Sequence, residues 1–219
     1  MEHVDGHGAA RRQARGEGTR SAILAAAEQI FAKAGMAGAS TDAIAAAAGV
    51  NKALLYYYYK SKRGLYEAVV EDHFREFNRQ ALEVLAVPAA ARAVLLRYVS
   101  LHFDFISTRQ RYAALYQQLM TTRGWPLERL VRKYFVPRSN AFNKLLERGI
   151  RDGEFRRTDP RHAAISVVGL IVFYFSSAPV LELLGHADAY SAANLKRRKQ
   201  QVLYFIRYGL FLDPSAPLP

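Results

Sequence analysis

Ser40-Thr41-Asp42-Ala43-Ile44-Ala45-Ala46-Ala47-Ala48-Gly49-Val50-Asn51-Lys52-Ala53-Leu54-Leu55-Tyr56-Tyr57-Tyr58-Tyr59 is the stretch that decides the fold. Ser40 is a good helix N-cap, and Asp42 puts negative charge in the first turn, where it suits the helix dipole. Gly49 ends that short, alanine-rich helix, and Asn51 can cap the next one. The spacing predicts helix, glycine-centred tight turn, helix. Ile44, Ala45, Ala48, Val50, Leu55 and Tyr59 fall where the two helices pack on each other, and the small alanines allow close approach. The outward side of the second helix then offers Lys52, Ala53, Leu54, Tyr56 and Tyr57. Lysine pairs with phosphate or a guanine edge, tyrosine hydroxyls bond phosphates, and small apolar groups touch a thymine methyl. A helix-turn-helix module uses its second helix in this way in the major groove. An ordinary corner between two bundle helices has the same spacing. Four consecutive tyrosines argue against that blander reading, because one helix cannot turn all four towards a core.

Working outward, Ile23, Leu24, Ala27, Ile30, Phe31 and Ala34 recur at helical spacing and predict a first helix over about 19–34, stopped by Gly35. Ser61 can cap a fourth helix from Lys62 to about Leu85. Within this block, the elements from Thr19-Arg20-Ser21-Ala22-Ile23-Leu24 through Phe31-Ala32-Lys33-Ala34-Gly35 to Leu55-Tyr56-Tyr57-Tyr58-Tyr59-Lys60-Ser61-Lys62-Arg63-Gly64-Leu65-Tyr66 keep a distinctive order. Residues 19–70 thereby resemble the N-terminal domain of TetR-family transcriptional regulators. The resemblance implies DNA contacts from Thr41, Lys52, Ala53, Leu54, Tyr56, Tyr57 and Lys62, with Lys62 on phosphate at the amino end of the fourth helix. Two residues depart from the family pattern. Tyr59 stands where phenylalanine is usual, so its hydroxyl needs a partner, and Arg63 stands where an acidic residue is frequent.

The remaining chain reads as helices at about 89–107, 109–121, 126–150, 160–184 and 190–212. Pro126 and Pro160 sit as first-turn prolines, and Pro137 should kink or split its helix. The expected fold is all-α, a three-helix helix-turn-helix domain at 19–66 (motif about 40–59) joined to a larger bundle at 67–212. Residues 1–18, with Arg11, Arg12 and Arg15, read as a flexible basic arm that can reach the DNA minor groove or backbone. Residues 213–219 read as a disordered tail.

Composition narrows the function. With 219 residues, 51% hydrophobic and 23% charged, the chain is long and apolar enough for a real core, and a low-complexity or disordered protein is excluded. Its lack of cysteine removes disulfides, thiolate catalysis and cysteine-based metal sites. The six histidines are scattered without ligand spacing, so no metal is expected. No nucleophile elbow, dinucleotide fingerprint or Walker-type loop occurs, and neither catalysis nor a cofactor is expected. Net charge is +12, which favours a polyanionic partner. Residues 123–161 carry eleven Lys or Arg against five Asp or Glu, an excess that suits an anionic effector or a solvated surface equally. The absence of an apolar run in 1–18 gives a cytoplasmic expectation.

Residues 162–181 contain no charged side chain. A membrane span has this length, yet His162, Ser166, Ser176, Ser177 and Pro179 fit a bundle or dimer helix better. The resemblance implies that the last two long helices, 160–184 and 190–212, form a homodimer interface. Lys196-Arg197-Arg198-Lys199 reads as a solvated helical face. His102 lies on the apolar stripe Leu95, Tyr98, Val99, Phe105 and Ile106. It is either a satisfied core histidine or, with Tyr98, Tyr116, Phe142 and Phe173, part of an aromatic-lined effector pocket. The expected protein is a dimeric transcriptional regulator, a repressor, that binds a palindromic double-stranded operator and is released by a small-molecule effector. The alternative is a helical small-molecule binder or enzyme with a vestigial helix-turn-helix. Retained Lys52, Tyr56, Tyr57 and Lys62 argue against that alternative.

Overall fold

The computed structural model describes residues 6–121, 127–185 and 188–215. Helices dominate these residues, in two compact units. The first comprises residues up to His73 together with Ala114–Gln118; the second comprises Phe74–Ala113 and the chain from Leu119 onward.

The first unit starts with α1 (Gly6–Gly38), broken at Gly35, where φ is 67°. The expected arm is therefore helical from Gly6. Ala9-Ala10-Arg11-Arg12-Gln13-Ala14-Arg15 are strong helix formers, and they outweigh the glycines around them. Residues 1–5 lie outside the described residues. The next helices are α2 (Thr41–Ala47), α3 (Lys52–Tyr59) and α4 (Lys62–Leu85), with boundaries close to those the caps predict. The Ala43 N–H donates to Ser40 Oγ at 3.4 Å, and the Leu54 N–H donates to Asn51 Oδ1 at 2.7 Å. Gly49, at φ 66°, makes the turn between α2 and α3, a conformation that a side chain resists. Gly64 is needed for another reason: a Cβ there would collide with the Tyr59 carbonyl, where α4 starts against the end of α3. Ile23, Ala27, Phe31, Ile44, Leu55 and Leu65 are buried together, with Phe31 and Tyr66 edge to face at 5.1 Å.

The second unit contains most of α4's second half, α5 (Ala91–Ser107) and much of α6 (Gln110–Thr121). There follow α7 (Leu127–Leu130), a π-turn at Val131–Phe135 and α8 (Val136–Arg151). Pro137 explains this division. It has no N–H to give the fourth residue back and its ring crowds that carbonyl, so the chain widens before it. The first-turn role expected of Pro126 lies outside the described residues. The last elements are α9 (Pro160–Ser176), α10 (Ala178–Leu183) and α11 (Ala192–Leu210). The single helix expected at 160–184 thus breaks at Ser177, two residues before Pro179, for the same reason as at Pro137.

Within the bundle α5 is the central element, packed by α8, α9 and α11. Its own N-cap, Ala90, supplies no side-chain bond. Glu154 does so instead, its two carboxylate oxygens accepting the Ala91 and Arg92 N–H groups at 2.8 and 3.0 Å. Next to Glu154, Phe155 stacks on Phe211 at 5.6 Å and ties this turn to the end of α11. Among the described residues, no helix is long and apolar enough to cross a membrane. The tail beyond Ser215 lies outside them.

Candidate functional site

On α3, Lys52, Ala53, Tyr56 and Tyr57 are exposed, with Tyr57 the most open tyrosine at 68%, while Leu55 and Tyr59 are buried. Four consecutive tyrosines are thus split between outside and core, as helical geometry requires. The Tyr57 ring carries the Lys60 ammonium 5.4 Å from its centre, a polar and aromatic patch on the outer face. Lys52 pairs with Asp42 at 2.9 Å, and that hydrogen bond raises the lysine's pKa. Leu54 is half-buried. Thr41, by contrast, is mostly buried, its hydroxyl 3.5 Å from that of Tyr56. It sits behind the outward face and buttresses Tyr56. Lys62 is half-buried and donates to the carbonyls of Ala37 and Ala39 at 3.2 and 3.1 Å. It therefore fixes the loop leading to Ser40, a role not evident from its position at the start of α4. The Tyr59 hydroxyl finds its partner in the Arg20 carbonyl at 3.2 Å, and burial pushes its pKa up.

In the second unit, Tyr98, His102 and Phe142 come together. Tyr98 stacks on Phe142 at 4.5 Å, and the His102 ring lies 5.9 Å from that of Tyr98. His102 is buried, and burial with the nearby Arg138 charge lowers its pKa to about 3, so the imidazole is neutral. Its Nδ1 has no hydrogen-bond partner. The expectation of a satisfied core histidine fails at this atom.

The other two expected pocket residues are placed elsewhere. Phe173 is 72% exposed. The α9 helix is apolar on all sides, so its sequence could not choose which face to bury. Tyr116 is half-buried and belongs with the first unit. Two polar residues absent from the sequence reading take part instead. Arg138 places its guanidinium 4.8 Å from the centre of the Phe77 ring, and Asn78 is buried on the same side of α4 as Phe74 and Phe77. The signal was present: Arg138 lies four residues before Phe142, one helical turn along the same face.

The exposed large apolar residues concentrate on the last helices. Ile165 and Phe173 are exposed on α9 with Gly169 between them, and Tyr204, Phe205 and Tyr208 form a stripe on α11. The basic run of α11 is only partly a solvated face. Lys196 and Arg197 are exposed, but Arg198 donates to the Leu170 carbonyl at 2.6 Å and Lys199 pairs with Asp104 at 2.6 Å.

Residues 23–69 match the family described as bacterial regulatory proteins, tetR family, and residues 92–206 match the tetracyclin repressor-like C-terminal domain. The HTH-type transcriptional repressor NicS of Pseudomonas putida is 26% identical over 170 residues, covering 74% of this chain and 78% of that protein. The HTH-type transcriptional activator FasR of Mycolicibacterium smegmatis is 36% identical over 87 residues, 40% of each chain. Among solved structures, the transcriptional regulator FadR of Bacillus subtilis, in complex with stearoyl-CoA, superposes with a TM-score of 0.69. It is 21% identical, and the match covers 85% of this chain and 96% of that one.

Proposed function

The chain belongs to the TetR family of bacterial regulatory proteins, and we propose that within it this protein is a dimeric repressor released from its operator by a small molecule. The observation that carries the reading is the outer face of α3, where Lys52, Ala53, Tyr56 and Tyr57 stand exposed above a buried Leu55 and Tyr59. In the proposed complex, α3 lies in the major groove and Tyr56 and Tyr57 reach phosphates or base edges. Leu54 contributes apolar contact, and Thr41 acts through Tyr56. Lys62 has three donors, two of them spent on carbonyls, and the third serves a phosphate.

The second protomer joins through the apolar stripes of α9 and α11, which water otherwise covers at a cost. Gly169 between Ile165 and Phe173 leaves room for a close helix crossing. A two-fold dimer sets its two recognition helices about 34–36 Å apart, so the operator is an inverted repeat. The effector site is the buried aromatic and polar cluster around His102, and an effector that prefers another dimer geometry weakens DNA binding by about 1–3 kcal/mol. Repression is favoured over activation by relatives such as NicS, which matches over most of its length.

Selection of bound fragments from the source organism's genomic DNA tests this reading. An enriched inverted repeat beside a promoter is the expected result. Recovery of no sequence above background contradicts it.

A further inference from the structure

The buried cluster of the second unit holds polar atoms that its own residues do not satisfy. His102 Nδ1, Asn78 Oδ1 and Arg138 Nη1 are all buried without a hydrogen-bond partner. His102 and Asn78 are themselves more than nine-tenths buried. The Phe77 ring gathers them: the His102 ring is 4.4 Å from its centre, the Arg138 guanidinium carbon 4.8 Å, and Asn78 is the next residue on α4. Arg138 also lies 5.0 Å from the Phe135 ring, so the guanidinium is held between two apolar faces. Arg138 is half-buried as a residue, but a guanidinium N–H that is itself buried and unpaired is costly, and native structures rarely keep one without a bound anion or water.

The surroundings suit an anion with an apolar body. Tyr98 and Phe142 stack beside the cluster, and Phe105 closes on Phe77 at 5.0 Å. On the outer surface, a recess of about 530 Å³ is lined by Arg129, Arg132, Lys133 and Glu128. It belongs to α7 and the π-turn, whose last residue, Phe135, stacks with Arg138. Three cations against one carboxylate raise the local concentration of anions there. The demand inside is for few oxygens: one guanidinium edge and one neutral imidazole match a single carboxylate, whereas a phosphate dianion would require more donors.

We propose that this cluster is the polar end of the effector site and that the effector is a small monocarboxylate with an apolar body, its carboxylate held by Arg138 and His102. The proposal rests on the regulator reading above and gives that reading an effector class. A hydroxyl on the effector's body would satisfy Asn78 Oδ1.

Thermal melting with benzoate, 4-hydroxybenzoate and octanoate, each beside its primary amide, tests the proposal. At saturating acid the melting temperature of the full chain should rise by about 5 °C or more, as expected for a hundredfold excess over Kd. The matching amide should give no comparable rise. Arg138→Met should abolish the shift, and Arg138→Lys, which keeps the charge but loses the planar fork, should leave a smaller one. Circular dichroism shows whether each variant is folded, and His102→Gln, expected to weaken the shift, serves if Arg138→Met is not. Amides that match their acids, acids that give no shift, or an undiminished shift in folded Arg138→Met each overturn the proposal. Wild-type binding to the selected operator is measured separately. DNA binding without any acid response refutes the effector class alone, whereas an acid response without DNA binding refutes the regulator reading.

Discussion

The Tyr59 hydroxyl donates to the Arg20 carbonyl at 3.2 Å, fastening the end of α3 to the first helix across thirty-nine residues. The bond ties α3 to α1 through a residue that departs from the family pattern. Tyr59→Phe removes the donor but strands nothing, since the Arg20 carbonyl keeps its place in the helical ladder. The expected loss is about 0.5–1.5 kcal/mol of stability, measured by urea unfolding. A larger loss would mean that Tyr59 carries another contact.

Lys62→Met removes both bonds to the carbonyls of Ala37 and Ala39. Stability should fall by about 1–2 kcal/mol, because these carbonyls follow the helix break and have few other donors. The slope of log K against log salt for DNA binding should also fall by about one unit, uniformly across sequences. Unchanged melting contradicts the carbonyl contact, and an unchanged slope contradicts the phosphate role.

His102 gives the protein a pH dependence of known sign. Its folded-state pKa, about 3, lies below the ordinary value of 6.5, so between these values the unfolded chain binds a proton that the folded one does not. Stability is therefore lost as pH falls through this window, by about 1.4 kcal/mol per unit, and is unaffected by this group above it. Between pH 7.5 and pH 5, wild type should lose about 2 kcal/mol more than His102→Gln in parallel urea titrations. Parallel losses in the two proteins would show that His102 is charged or solvated in the fold.

Phe173→Asp and Phe205→Glu change exposed positions on α9 and α11, so each variant should fold with its monomer core intact. Placed in the proposed interface, the new charges face burial against a partner's apolar surface. Light scattering should report monomers, with circular dichroism unchanged and operator affinity reduced at least tenfold. Intact dimers in both variants would place the interface elsewhere.

Helix starts were legible in the sequence because a cap is a local device. Ser40, Asn51 and Ser61 each accept the N–H group three residues ahead, within reach of any reading of the chain. The capping of α5 by Glu154 was not legible, since it joins residues more than sixty positions apart. Nor was the face that Phe173 takes, because an all-apolar helix carries no periodicity to choose it. Arg138 was overlooked for a related reason. Its spacing from Phe142 puts it on that face, but charged residues are usually solvated, and the sequence gives no sign of the rings of Phe77 and Phe135 that it lies against. The outward exposure of Tyr56 and Tyr57 was legible from helical spacing, whereas the contacts of Thr41 with Tyr56 and of Lys62 with the carbonyls before Ser40 were not.

Whether the exposed face of α3 reads DNA, as proposed, is measured by fluorescence anisotropy with wild type and Tyr57→Ala. The substitution removes an exposed ring, 68% open, and should leave the melting temperature within about 1–2 °C of wild type. Wild type should bind the selected inverted repeat at least a thousandfold more tightly than a scrambled duplex at physiological salt. Tyr57→Ala should weaken operator binding about tenfold or more, with the scrambled duplex spared if the ring meets a base edge and weakened alike if it meets a phosphate. Equal affinity of wild type for the two duplexes, or an operator affinity untouched by Tyr57→Ala, would contradict the account.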